Sequence, residues 1–265
     1  MTRSFLSEWI KLRRPGMILG GAGTIVGFAI LTVVLILTTA STTPTDQGGS
    51  GGEGVTLAQL ATADGLASVL ASAASFIGVV ALSVFAISIA SEYSQGTLRN
   101  LLVRQPRRVR LLAGKLLALA SFTTLAVIVA GIAAVATALL VAPTQDISTA
   151  AWFTSAGWAA LAGGLGNLLL ATLGWGLVGA LLGLVLRTPA AAVGVGLAWA
   201  LPGELLVTAA WADGARWLPG QLLDALAQGG TAAVTYGSAG LLLALYGVVA
   251  MVAGTTLFAR RDVAT

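Results

Sequence analysis

The stretch GMILGGAGTIVGFAILTVVLILTTA, residues 16–40, carries no charged side chain. A helix needs about 20 predominantly apolar residues to cross the hydrocarbon core of a bilayer, and this run is long enough to do so. The rest of the chain has the same character. Of 265 residues, 57% are hydrophobic and only 9% charged, with a mean hydropathy of +0.93. A soluble domain carries about 25% charged residues to face water. The expected fold is therefore an all-α integral membrane protein, read as a single transmembrane domain over residues 1–265.

Further apolar runs give six expected spans, at about 16–40, 65–90, 111–142, 158–186, 190–210 and 236–259. The loop after the first is rich in Thr, Gly and Ser and reads as a flexible connection. Trp152 sits in an interfacial stretch before the fourth span, and Arg187, Thr188 and Pro189 form a short turn before the fifth. Short cytoplasmic loops are enriched in Lys and Arg. With the N-terminus inside, every basic residue except Arg216 falls on the cytoplasmic side, while Asp46, Glu53, Asp64, Asp146, Glu204, Asp213 and Asp224 fall outside. The expected location is the cytoplasmic membrane of the cell, multi-pass, with both termini cytoplasmic.

Residues 1–15 read as an amphipathic interfacial helix. Phe5, Leu6, Trp9 and Ile10 form its apolar face, and Arg3, Glu8, Lys11 and Arg14 lie largely elsewhere. The high pI follows from bases placed beside membrane spans, so no nucleic-acid partner is expected. Without cysteine or histidine, disulfide frameworks, thiolate chemistry, the usual zinc sites and Ser-His catalysis are excluded, and no metal or catalytic residue is expected.

Basic residues concentrate in SEYSQGTLRNLLVRQPRRVRLLAGKLLAL, residues 91–119, between the second and third spans. Orientation alone would explain the charge but not the order within it. Gly96 permits a break, and Thr97 is a good N-cap. Leu98, Leu101 and Leu102 recur at i, i+3 and i+4, with Arg99, Asn100 and Arg104 on the other faces, before Gln105-Pro106 stops the helix. Such a short helix lies on lipid or docks into a groove of another protein, and periodicity leaves both readings open. Glu92, at the end of the second span, either pairs with a nearby arginine or is a solvated helix-end charge.

The pattern E-Y-x-x-G-T-L-R-x-L-L from Glu92 to Leu102, followed by Pro106, Arg107, Arg108 and G-K-L-L-A at 114–118, resembles the first cytoplasmic loop of ABC-2-type ABC exporter permeases. The N-terminal S-E-W-I-K-L-R-R, the six-span plan and W-L-P at 217–219 are similar to features of that family as well. The Gly/Ser-rich loop 47–54 has no counterpart there. The resemblance implies a permease subunit without its own enzymatic activity, coupled to a separate ATPase through Glu92, Tyr93, Gly96, Thr97, Leu98, Arg99, Leu101, Leu102 and Arg104. It implies two ATPase copies holding ATP and magnesium, and a second permease copy or paralogue in the same bilayer. The chain has no G-x-x-x-x-G-K-[ST] loop of its own. The cargo would be hydrophobic or amphipathic. An ion-coupled secondary transporter and a non-transporting scaffold or immunity protein are the alternatives, although the spans lack the intramembrane ionisable relays such transporters use.

Three further features are singled out. Pro202, Gly203 and Glu204 interrupt the fifth span and, with Trp217 and Pro219, suggest an outer gate in which Glu204 reaches water, because a carboxylate is costly in hydrocarbon. Asn167, inside the fourth span, is interhelical glue or faces a translocation path. The G-x-x-x-G pairs at 16/20, 23/27 and 179/183 allow close helix approach and are candidates for a dimer interface.

Overall fold

The computed structural model describes residues 2–40, 56–96 and 108–260. Among these the chain is helical, without a sheet; Gly230 and Thr235 make an isolated antiparallel bridge. A leading helix α1 (Thr2–Leu12) precedes α2 (Pro15–Thr39), α3 (Ala74–Ser94), α4 (Arg108–Val141), α5 (Ser155–Leu186), α6 (Pro189–Ala210), the shorter α7 (Pro219–Ala227) and α8 (Tyr236–Arg260). Six of them, α2 to α6 and α8, are long and apolar enough to cross a membrane. The chain is a multi-pass membrane protein. The end of the bundle carrying α1 and the start of α4 is called here the basic end, and the opposite one the far end.

Helix ends follow local chemistry. Thr154 caps α5 by accepting a hydrogen bond from the Gly157 amide at 3.1 Å, and α5 closes at Arg187 in the left-handed region, φ 60°. Pro189 then opens α6, where its missing N–H costs nothing because the first-turn amides have no helical partner. The region read as one span from 65 to 90 is instead two helices, Gly65–Ser72 and α3, divided at Ala73. Trp152 is buried in the protein, with its indole N–H donating to the Leu60 carbonyl at 2.8 Å.

The bundle is built around α3 and α5. Gly179 packs against the Leu82 carbonyl, a Cβ at Gly183 would stand 2.9 Å from the Ala86 oxygen, and Gly78 lies under the Trp175 ring. Small residues let these two backbones nearly touch, which in lipid supplies the packing that water would otherwise drive. The 179/183 pair thus serves a contact within the chain rather than one between copies. At Gly16, Gly20 and Gly27 a Cβ would meet nothing within 4 Å. Burial is uneven: 56% of the most apolar stretch of α3 is buried, but only 6% of that of α8.

Pro202 does not break α6. Residues Trp199–Gly203 widen into a π-helical turn, which accommodates the proline's missing donor and lets the helix continue to Ala210.

Candidate functional site

At the basic end four charged side chains from three helices meet. Lys115 Nζ on α4 lies 2.7 Å from Glu92 Oε1 on α3 and 3.1 Å from Glu8 Oε2 on α1. Lys11 Nζ lies 2.6 Å from Glu8 Oε1 and 3.2 Å from Glu92 Oε1. Glu8, Glu92 and Lys115 are buried, and Lys11 is half-exposed. Among the described residues two carboxylates and two ammonium groups balance in charge, so three ions that would each be costly to bury alone form a compensated set. Among the described residues Glu92 is thus met by two lysines, and it is buried rather than a solvated helix-end charge. Its neutralisation explains why α3 runs to Ser94, past the point where hydropathy falls.

The same arrangement turns α1. Phe5, Glu8, Trp9 and Leu12, at i, i+3, i+4 and i+7, form its inward side, with the Phe5 and Trp9 rings stacked at 5.8 Å. Leu6 and Ile10, expected with Phe5 and Trp9 on the apolar face of an interfacial helix, are exposed outside this inward side. Glu8 lies inward because Lys115 waits there. Burial by itself pushes the Glu8 carboxyl up, but the charge of Lys115 and contacts with Lys11 outweigh it and hold the group below its ordinary value. For Lys11, burial favours the neutral amine, and the hydrogen bond and charge of Glu8, with Glu92, overcome it and raise the group. Both stay ionised at neutral pH.

Tyr93 follows Glu92, and the Arg187 guanidinium sits 5.7 Å from its ring centroid, tying the α5–α6 turn to the end of α3. Gly96, φ 66°, ends the segment in a conformation that favours glycine. Of the coupling residues expected from the sequence, Glu92, Tyr93 and Gly96 are thus grouped at one helix end. Thr97, Leu98, Arg99, Leu101, Leu102 and Arg104 lie outside the described residues.

The far half of the bundle holds its carboxylate differently. Glu204 is 2% exposed and does not reach water. Its Oε1 accepts from the Gly220 amide at 2.8 Å and the Trp199 indole N–H at 3.0 Å, and its Oε2 accepts from the Gln221 amide at 3.0 Å. These amides belong to the first turn of α7, whose N-terminus carries positive partial charge. Glu204 thereby staples α7, opened by Pro219, to α6 just beyond the Pro202-Gly203 turn. Trp217 is half-exposed, and its carbonyl accepts from the Tyr246 hydroxyl at 3.1 Å. A second link, missed in the sequence, runs from the Ser75 hydroxyl to Asp224 Oδ1 at 2.7 Å. Burial raises the Asp224 carboxyl, and the Ser75 hydrogen bond opposes that rise. Asn167 accepts from the Tyr236 hydroxyl at 2.9 Å, joining α5 to α8.

Between α5, α7 and α8 lies an apolar cavity of about 760 Å³. Among the described residues there is no grouping of three or more acidic side chains able to hold a metal ion.

A family model for DUF2705, described as a protein family of unknown function, matches residues 51–264. The chain belongs to the DUF2705 family. The match takes in Glu92, Lys115 and Glu204 but leaves α1, with Glu8 and Lys11, outside it. No curated protein matches the DUF2705 chain.

Proposed function

We propose that this DUF2705 protein is the transmembrane permease subunit of an ATP-driven ABC exporter. The observation that carries the reading is the position of E-Y-x-x-G-T-L-R-x-L-L. The motif starts at Glu92, and the loop it opens returns to the bundle on α4, the helix whose Lys115 holds Glu92 at 2.7 Å. The two helix ends on which this loop is rooted are locked to each other. A push on it moves α3, α4 and α1 together rather than bending one helix, which is what driving an alternating cavity from outside the membrane requires.

In this reading the basic end is cytoplasmic, α1 lies along the inner interface, and residues 97–105 form a short coupling helix. Leu98, Leu101 and Leu102 fill a groove of the ATPase, and Arg99 and Arg104 pair with carboxylates at its rim. Two ATPase subunits supply ATP and magnesium chemistry to two permease chains, identical or paralogous. The Glu204 staple sets α7 as part of the outer gate with Trp217. The cargo is hydrophobic or amphipathic.

Leu101→Asp tests this. An unpaired carboxylate in the contact should abolish co-purification of the ATPase from native membranes, while the chain still inserts. Retention of the ATPase by this variant at the wild-type level would overturn the reading.

A further inference from the structure

The cavity between α5, α7 and α8 is a feature the proposed function leaves unused. On α8 its wall is made by Gly237, Gly240 and Gly247, and on α5 by Gly174, Leu177 and Leu181. Glycines in a membrane helix normally let helices close up, as Gly179 and Gly183 do against α3. Here they do not. A Cβ at Gly237, Gly240 or Gly247 would meet nothing within 4 Å, so these glycines make room rather than contact.

The volume, about 760 Å³, falls in the range of small-molecule sites, roughly 300–1,000 Å³. From Tyr236 to Ala250 the wall runs ~21 Å along α8 at 1.5 Å per residue. Dividing volume by length gives roughly 36 Å² for the centres of water-sized occupants, about 7 Å across, and so about 10 Å between the walls once a water radius of ~1.4 Å is added on each side. A helix with its side chains measures about 10–12 Å, at or above that width, and Leu223 of α7 walls one side. A single hydrocarbon chain does fit, and half of a ~30 Å hydrocarbon core is ~15 Å, within the available depth. The walls offer water little: the hydroxyl hydrogens of Tyr236 and Tyr246 are already donated to Asn167 and the Trp217 carbonyl, which leaves only acceptor lone pairs. The Tyr236–Asn167 pair gives the cavity one polar end, at the start of α8, where a tyrosine suits headgroup depth.

We infer that this cavity binds one acyl chain of a bilayer glycerophospholipid, with its headgroup at the level of Tyr236. The site would wedge α8 away from α5 and explain why α8 is so little buried within the chain.

The test uses the full chain in liposomes containing a phosphatidylglycerol with a photoactivatable diazirine on its acyl chain. Labelling is mapped by mass spectrometry, without ATP or an ATPase, so the result is independent of the proposed transport role. In the wild type, Leu177 and Leu181, half-buried on the inner wall, should be labelled alongside the exposed Leu245, which lies outside the cavity wall. Gly240→Leu and Gly247→Leu fill the cavity and should each lower labelling of Leu177 and Leu181 at least fivefold while leaving Leu245 unchanged. Gly20→Leu, at an equally open position on α2, should lower neither. Unchanged labelling of Leu177 and Leu181 in the filled variants would overturn the site. So would no labelling of those residues in the wild type, or a disulfide between two copies through Leu177→Cys, which would assign the space to a second chain.

Discussion

Glu92 and Glu204 are both buried carboxylates, one at the basic end and one toward the far end, and the protein satisfies them by different means. Glu92 is met by the ammonium groups of Lys115 and Lys11. Glu204 is met by two backbone amides and an indole N–H. The first arrangement ties helices that begin far apart in sequence by matching full charges, and it works only while all three helices keep their places. The second uses the partial charges of one helix start and holds α7 against α6 whatever happens beyond them. The basic end is thus a mutually dependent unit, and the far end a local clasp.

The comparison breaks most severely at Lys115. Lys115→Ala removes the buried ammonium group that Glu8 and Glu92 share, and should lower stability by about 3 kcal/mol. Thermal unfolding in nanodiscs reads it, and an unchanged midpoint would mean that the carboxylates find water. Glu204→Ala should cost less, about 2 kcal/mol, because it strands neutral donors rather than a charge. Its effect should be confined to the α6–α7 region, visible as faster amide hydrogen exchange at Gly220 and Gln221 with the basic end unchanged. Glu204→Gln, which can still accept at one oxygen, should fall between it and the wild type.

The smallest effect is in pH. Glu8 is held below its ordinary value of 4.5, so its pairing stabilises fully above that value and is lost as pH falls through the folded pKa. Lys11 is raised above 10.5, so its contribution holds below that value and fades as pH rises through the folded pKa. The unfolding midpoint should stay flat between these limits and drop below about pH 4.5, and Glu8→Gln should shallow the acid drop. An equal drop in the variant would place the acid sensitivity elsewhere.

The two ends also differ in how far their sequence could be read. The spans are legible because charge-free runs of membrane length leave little alternative, and the first, fourth and fifth begin or end within a few residues of where hydropathy places them. The end of α3 is not legible, because Glu92 looks like a boundary until Lys115 is set beside it. Glu8 looks polar-facing on α1 for the same reason, although its i, i+4 relation to Leu12 was a usable sign. Glu204 was misread outright: two of its three partners are main-chain amides, which every residue but proline carries, so no residue type in the sequence announces them. The Ser75–Asp224 link joins a span to α7 across 149 residues and leaves no local pattern. Gly179 and Gly183 announced a close approach but not to which helix.

The central claim is that Glu8, Lys11, Glu92 and Lys115 act as one balanced set that makes α1, α3 and α4 a single body. Exchanging the charges tests it most directly. Glu92→Lys alone sets three lysines against one carboxylate, and Lys115→Glu alone sets three carboxylates against one lysine. The double exchange restores two against two at the same positions. The account predicts that each single change lowers the unfolding midpoint strongly and that the double variant recovers most of the loss, with ATPase co-purification following the same order. Losses that simply add in the double variant would contradict it.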